Sequence, residues 1–322
     1  MKTANERNDI PTAGSTVSEE RDVAQTPSAE ESNLKVKALV FTDPYCSWCW
    51  GTEPMILTMM ERYRDQLHMQ YVFGGLIRDL DDFYDATNDI RDAAAVEPHW
   101  AMVSERTGQP IDEKLWRDIG EIRHFSSWPA NVAGKAAFLQ GEKQGFDYLR
   151  RLRRAALTER TIISNEEEYN RLAREVPSLD YDAFRAALDS GDAERAFQKD
   201  QETCAIWQAY GFPTILFYRA DVDVNDVSAL SRNNAVYVGG HRSMDTYDAV
   251  IHKLVPDIKS YDPRPEEELL ELYGPMTDRE LAQIFDRDTA SELEVLGKLE
   301  EQGKISRSER VRGNIWSVNK LE

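Results

Sequence analysis

The stretch Val36-Lys37-Ala38-Leu39-Val40-Phe41-Thr42-Asp43-Pro44-Tyr45-Cys46-Ser47-Trp48-Cys49-Trp50-Gly51 decides the fold. Its first seven residues are mostly apolar and β-type and stop at Asp43-Pro44, the pattern of a buried strand. After Gly51, Met55, Ile56, Met59, Met60 and Tyr63 recur at helical spacing, with Glu61, Arg62, Arg64 and Asp65 elsewhere on the turn. The segment 69–76 then reads as a second strand. Strand, turn, helix and strand make a βαβ unit, and Cys46 falls at the turn where the helix begins.

Cys46-Ser47-Trp48-Cys49 has two readings, half of a zinc site or a redox pair. Zinc takes four ligands, usually a second C-x-x-C or paired histidines nearby. Here the only other cysteine is Cys204, and no histidine lies within fifteen residues of the motif. The context speaks for redox chemistry. A cysteine at a helix N-terminus has unpaired backbone N–H groups and the helix dipole to stabilise its thiolate. A second cysteine one turn further in can resolve a mixed disulfide formed at the first.

Outward from this unit, the apolar spacing is helical from about 85 to 210, clearest at 93–107, 130–144, 146–157, 166–175, 181–188 and 193–210. The last of these is expected to turn Phe197, Cys204, Ile206 and Trp207 inward. Strands return at 213–218 and 235–238, and a helix follows at 244–254. A βαβ start and a ββα finish thus enclose a helical insertion, about 80–210. Pro256, Pro263 and Pro265 mark a break. Beyond it come helices at 266–273, 277–285 and 289–302, a capping Gly303, and two short strands at 305–307 and 315–318. The expected domains are 34–260 and 261–322.

The composition narrows the function. The chain has 322 residues, 41% hydrophobic, enough for real cores, and a net charge of −19 that disfavours tight non-specific binding to nucleic acid. No run approaches the ~20 apolar residues of a membrane span. Residues 1–33 hold seven acids and three bases without apolar periodicity, and are expected to be a disordered tail. They lack the apolar core of a secretory signal, so a cytoplasmic location is expected.

A second motif, Gly211-Phe212-Pro213-Thr214, opens a strand. An X–Pro bond adopts cis at modest cost, and proline suits a strand start. On its own it reads better as a trans proline that merely begins the strand. Together, residues 41–51, Phe73-Gly74-Gly75-Leu76, Trp100 with Arg106-Thr107-Gly108, the run 133–141, Phe197-Gln198-Lys199-Asp200 and the proline motif resemble DsbA-family thioredoxin-like proteins, especially the cytoplasmic branch. The resemblance covers about 36–255. It implies a thioredoxin-like α/β fold with a large helical insertion. It further implies a nucleophilic Cys46, a resolving Cys49, a cis Pro213 facing them, and a substrate face at Trp48, Phe212, Pro213 and Thr214. No cofactor is called for, because the dithiol carries the electrons. The substrates would be protein or small thiols and disulfides. Some members of this branch are adaptors for the ClpXP protease, so a redox-sensing adaptor with a protein partner is the alternative. The dipeptide Ser47-Trp48 lacks the histidine of the strongly oxidising members, and Phe212 is bulkier than usual there. Both departures favour a reductase, isomerase or sensor over a general oxidase.

Trp48 should be exposed and Trp50 packed, and Cys204 should be a buried helix residue. His68, His99, His124, His241 and His252 show no ligand spacing and read as satisfied or surface residues. The run Arg150-Arg151, Arg153-Arg154 reads as a solvated helix face or a docking patch for an acidic partner. The C-terminal unit resembles a winged helix. Residues 276–322 hold ten acids and eight bases, with the basic residues clustered at Arg307, Arg310 and Arg312 of the wing. That balance makes packing on protein a better expectation than DNA binding.

Overall fold

The computed structural model describes residues 33–86 and 88–319, so the expectation for the acidic tail falls almost wholly outside the described residues. β1 (Val36–Thr42) runs into α1 (Ser47–Tyr63), and β2 (Leu67–Phe73) returns parallel to β1. The helical insertion follows as α2 (Ala93–Thr107), α3 (Leu115–Ile119), α4 (Trp128–Phe138), α5 (Glu142–Thr158), α6 (Glu166–Arg174), α7 (Tyr181–Asp189) and α8 (Asp192–Trp207). The chain then re-enters the sheet as β3 (Thr214–Arg219) and β4 (Ala235–Gly239) and leaves it through α9 (Met244–Leu254). The sheet order is β2-β1-β3-β4, with β3 antiparallel to both β1 and β4.

The central strand β1 is apolar on both faces, and its alternation serves two packing layers. Val36, Ala38 and Val40 join a core that includes Ile56, Met59 and Tyr63 of α1 and Tyr247 and Ile251 of α9. Leu39 and Phe41 point the other way, toward Cys204, Leu216 and Tyr218. Cys204 is buried as expected, but Ile206 is 65% exposed. Trp207, three residues after Cys204, packs on the same cluster as expected, whereas Ile206 lies off that face; the helix stops at Trp207 with Gln208 in the left-handed region, short of the expected 210. The expected helix 130–144 is likewise broken, at Gly141 with φ of 144°.

The C-terminal segment continues as α10 (Glu266–Tyr273), β5 (Met276–Thr277), α11 (Asp278–Ile284), α12 (Thr289–Glu301), β6 (Ile305–Arg310) and β7 (Gly313–Val318), with a sheet order β5-β7-β6. It shares the core of the first sheet: Leu269, Leu270, Tyr273, Met276, Leu281 and Trp316 belong to the same apolar cluster as β1 and α1. α11 packs directly on α1. The described residues from Asn33 onward therefore form one compact unit. None of the helices among the described residues is long and apolar enough to cross a membrane.

Candidate active site

Four residues separate the end of β1 from α1, and the last of them, Cys46, is its N-cap, with the Cys49 N–H donating to Cys46 Sγ at 3.2 Å. The turn is built on Asp43. Its buried carboxylate accepts from the N–H groups of Tyr45 and Leu76 at 2.8 and 2.7 Å, from the Ser127 hydroxyl at 2.9 Å and from the Asn131 amide at 2.8 Å. Burial pushes the Asp43 carboxyl above its ordinary value, although these four donors pull it down. One side chain thus ties the end of β1, the loop after β2 and α4 around the cysteines.

The opposite wall is the proline loop. The Phe212–Pro213 peptide is cis, and the Cys46 thiol donates to the Phe212 carbonyl at 3.5 Å. Phe212 lies against Gly74 so closely that a Cβ there would stand 1.8 Å from its Cζ. Thr214 turns inward: it is buried, its hydroxyl donates to the Gly211 carbonyl at 2.7 Å, and its backbone pairs with Phe41 and Gly239. Trp50 is fully buried and donates its indole N–H to Pro110 O at 3.0 Å.

Trp48, expected to be exposed, is half-buried between two histidines that no pattern in the sequence singles out. Its ring centroid lies 6.2 Å from that of His99 on α2 and 5.9 Å from that of His241 beyond β4. The Thr52 hydroxyl spends its one hydrogen on Trp48 O at 2.8 Å, so the 3.1 Å contact to His241 Nδ1 assigns the N–H to the imidazole. Burial lowers the pKa of both histidines, which keeps them neutral at pH 7.

Beneath the dithiol lies the largest departure from the sequence reading. The arginines of α5 face inward: Arg150 and Arg153 are fully buried and Arg154 nearly so. A run of four arginines reads as solvated because nothing local reveals the distant carboxylates that meet it. Arg153 binds Glu53 of α1 through Nη1 and the Thr42 hydroxyl at the end of β1 through Nη2. Arg150 binds Glu53 Oε1 at 3.1 Å and takes Glu280 of α11 bidentately at 2.9 and 3.1 Å. Burial opposes both guanidinium charges, but the carboxylates outweigh it and hold both above the usual range.

The two buried cysteines titrate as a pair. Burial, together with the hydrogen bond and charge of Cys49, pushes Cys46 up. Burial also works against Cys49, but the hydrogen bond from Cys46, the charge of Arg153 and the Thr42 hydroxyl pull it below its ordinary value. The pair therefore gives up its first proton easily and resists losing the second. The groups that favour that single negative charge are the N–H groups of the α1 N-terminus, the Thr42 hydroxyl and Arg153. Among the described residues no third or fourth zinc ligand joins the two cysteines; the one carboxylate–histidine cluster, Asp79, Asp81 and His124, is elsewhere.

A dithiol at a helix N-terminus that faces a cis-proline across the edge of a β2-β1-β3-β4 sheet, with a helical insertion between the two halves, defines a DsbA-like thioredoxin fold. The thioredoxin family profile matches residues 39–238, and the chain belongs to that family. It is 24% identical over 282 residues to the ClpXP adapter protein SpxH of Bacillus subtilis, covering 86% of this chain and 87% of the relative. It is 26% identical over 294 residues to the ClpXP adapter protein SpxH of Bacillus cereus, covering 90% and 93%. A Nitrosomonas europaea protein, whose solved structure carries the name of a protein disulfide isomerase, superposes with a TM-score of 0.53 at 20% identity, over 69% of this chain and 96% of that one.

Proposed function

We propose that the chain is a cytoplasmic thiol–disulfide oxidoreductase acting through Cys46 and Cys49, poised as a reductase or isomerase. The observation that carries this reading is Cys46 itself, an N-cap sulfur that accepts the Cys49 N–H and faces the carbonyl before a cis-proline. Cys46 passes its proton to Cys49 and attacks one sulfur of a substrate disulfide, forming a mixed disulfide and releasing the other sulfur as a thiolate that takes the proton on from Cys49. The Cys49 thiolate then attacks Cys46 Sγ, expelling the second substrate thiol and leaving a Cys46–Cys49 disulfide. Two electrons pass to substrate, and a dithiol reductant restores the pair. Trp48, Phe212 and Pro213 would line the substrate face; Thr214, expected there, is buried behind them at the start of β3. Cys49→Ser should accumulate a Cys46 mixed disulfide, visible on a non-reducing gel. Reduction of a test disulfide at the wild-type rate by the Cys46→Ser/Cys49→Ser chain would overturn the reading.

A second reading is favoured by the extent of the SpxH likeness, which covers 86–93% of both chains. On it, the chain is a redox-sensing adaptor that delivers a protein partner to ClpXP. Its domains would be 34–260 and a winged-helix-like 261–322, a division consistent with the order helix, strand, helix, helix, strand, strand. Use of that module on protein is supported by its wing, whose Arg310 and Arg312 pair with Glu159 and Glu113 of the same chain. Partner capture retained by the double serine chain would assign the adaptor role.

A further inference from the structure

The two cysteines and the C-terminal segment meet through a buried row of alternating charge. Cys49 and Glu53 are four residues apart on α1 and so share one face, as do Arg150 and Arg153, three apart on α5. Where the faces meet, Arg153 binds Glu53, Glu53 binds Arg150 and Arg150 binds Glu280, while the charge of Arg153 and the Thr42 hydroxyl that it holds both act on Cys49. Every charged side chain in the row is fully buried. Arg153 Nε has no hydrogen-bond partner, so Glu53 and Thr42 leave part of its charge unanswered beside the dithiol. Arg150 has no such surplus, because its remaining donors go to the carbonyls of Tyr273 and Pro275. Glu280 is equally committed: it closes the capping box of α11, accepting the Thr277 N–H at 2.9 Å.

From this row we infer that Glu280 acts on the dithiol as a remote positioning residue, through Arg150 and Glu53 to Arg153, so that the charge on Cys46–Cys49 and the docking of α11 are coupled. The inference rests on the redox reading of the pair. Its sign follows from alternation. Glu280 holds Arg150, which leaves Glu53 free to engage Arg153, which in turn withholds charge from the thiolate. Removing the Glu280 charge shifts Arg150 toward Glu53 and releases Arg153 to the dithiol. By reciprocity, a thiolate draws Arg153 from Glu53, Glu53 draws Arg150, and Glu280 is held less firmly. Oxidation abolishes the thiolate and tightens α11. Asp43 beyond β1, Tyr71 on β2, Arg154 on α5, Tyr247 on α9 and Tyr273 on α10 are other titratable groups around this row, and none of them is altered in the test.

The test is thiolate absorbance against pH in the full chain carrying Cys204→Ser. Arg153→Gln should raise the midpoint by about one to three pH units, the usual effect of losing an adjacent cation. Glu280→Gln should lower it by about 0.5, the order expected of a screened charge two ion pairs away. Glu292→Gln, a buried carboxyl of the same segment paired instead with Arg287, should leave it unmoved. Unfolding would move every midpoint toward the free thiol value of about 8.5, so opposite signs identify the row. The second readout needs no variant. Above the midpoint, amides of α11 should exchange about threefold more slowly in the oxidised than in the reduced protein, the factor to which half a pH unit converts. Shifts of the same sign for Arg153→Gln and Glu280→Gln, or equal exchange in both redox states, would overturn the inference. The catalytic reading fails separately, if Cys49→Ser traps no mixed disulfide while the opposite shifts persist.

Discussion

At Gly74 one missing methyl group lets the proline loop reach the cysteines. Phe212 occupies the place where a Cβ would stand, and the same residue carries the carbonyl that meets Cys46. Gly74→Ala should therefore force the Phe212 ring outward and cost about 1–3 kcal/mol in urea unfolding, the range for overpacking a close-packed site. Alkylation of Cys46, 5% exposed in the native chain, should speed up in the same variant. Unchanged stability and alkylation would mean that Phe212 has room to move. The sequence shows both halves of this contact, Phe73-Gly74-Gly75-Leu76 and Gly211-Phe212-Pro213-Thr214, because each is a local pattern. It does not show that one residue fills the space left by the other. His99 and His241 are hidden for the same reason: the fold alone brings them to Trp48.

On the scale of elements, α1 carries a defect that other segments repair. Pro54 has no N–H to offer the Trp50 carbonyl four residues back. Gln109, in the loop after α2, supplies the missing donor, its Nε2 reaching Trp50 O at 3.1 Å. The other end of that amide accepts the Thr277 hydroxyl, itself the N-cap of α11, at 2.6 Å. Gln109→Ala leaves a buried carbonyl unpaired one residue from Cys49, and should destabilise the fold by about 1–3 kcal/mol. Thermal melting measures it, and a melting point unmoved from the wild type would mean that water or backbone replaces the amide. Helical periodicity revealed α1 and α5 because each has an apolar stripe that recurs with the turn. It could not reveal which helix the polar face of α5 would meet. Arg150 finds its carboxylates on α1 and on α11, far from it in sequence, so four arginines within the five residues 150–154 look solvated until the chain is folded.

For the whole molecule, the question is whether the thioredoxin part can stand without residues 265–322. The proline-rich break at 256–265 looks like a domain boundary in sequence, yet the apolar cluster crosses it without interruption. Deleting residues 265–322 removes Leu269, Leu270, Tyr273, Met276 and Leu281 from the α1 side of that cluster. Burying each such side chain contributes roughly 1.5–3 kcal/mol. The deletion also leaves Arg150 with Glu53 alone and Glu61 without the Tyr273 hydroxyl. Breaking a buried ion pair by removing one partner costs about 3–5 kcal/mol, because the remaining charge stays desolvated. The sum equals or exceeds the roughly 5–15 kcal/mol that holds an ordinary domain together. The chain 1–264 should therefore aggregate on gel filtration and lose its cooperative thermal transition, even though it retains Cys46, Cys49 and Pro213. A monomer that melts within about 5 °C of the full chain, a shift of roughly 3 kcal/mol at this size, would show instead that α1 and α5 tolerate solvent where α11 now sits. In that case Arg150 would behave as the solvated residue its sequence suggested.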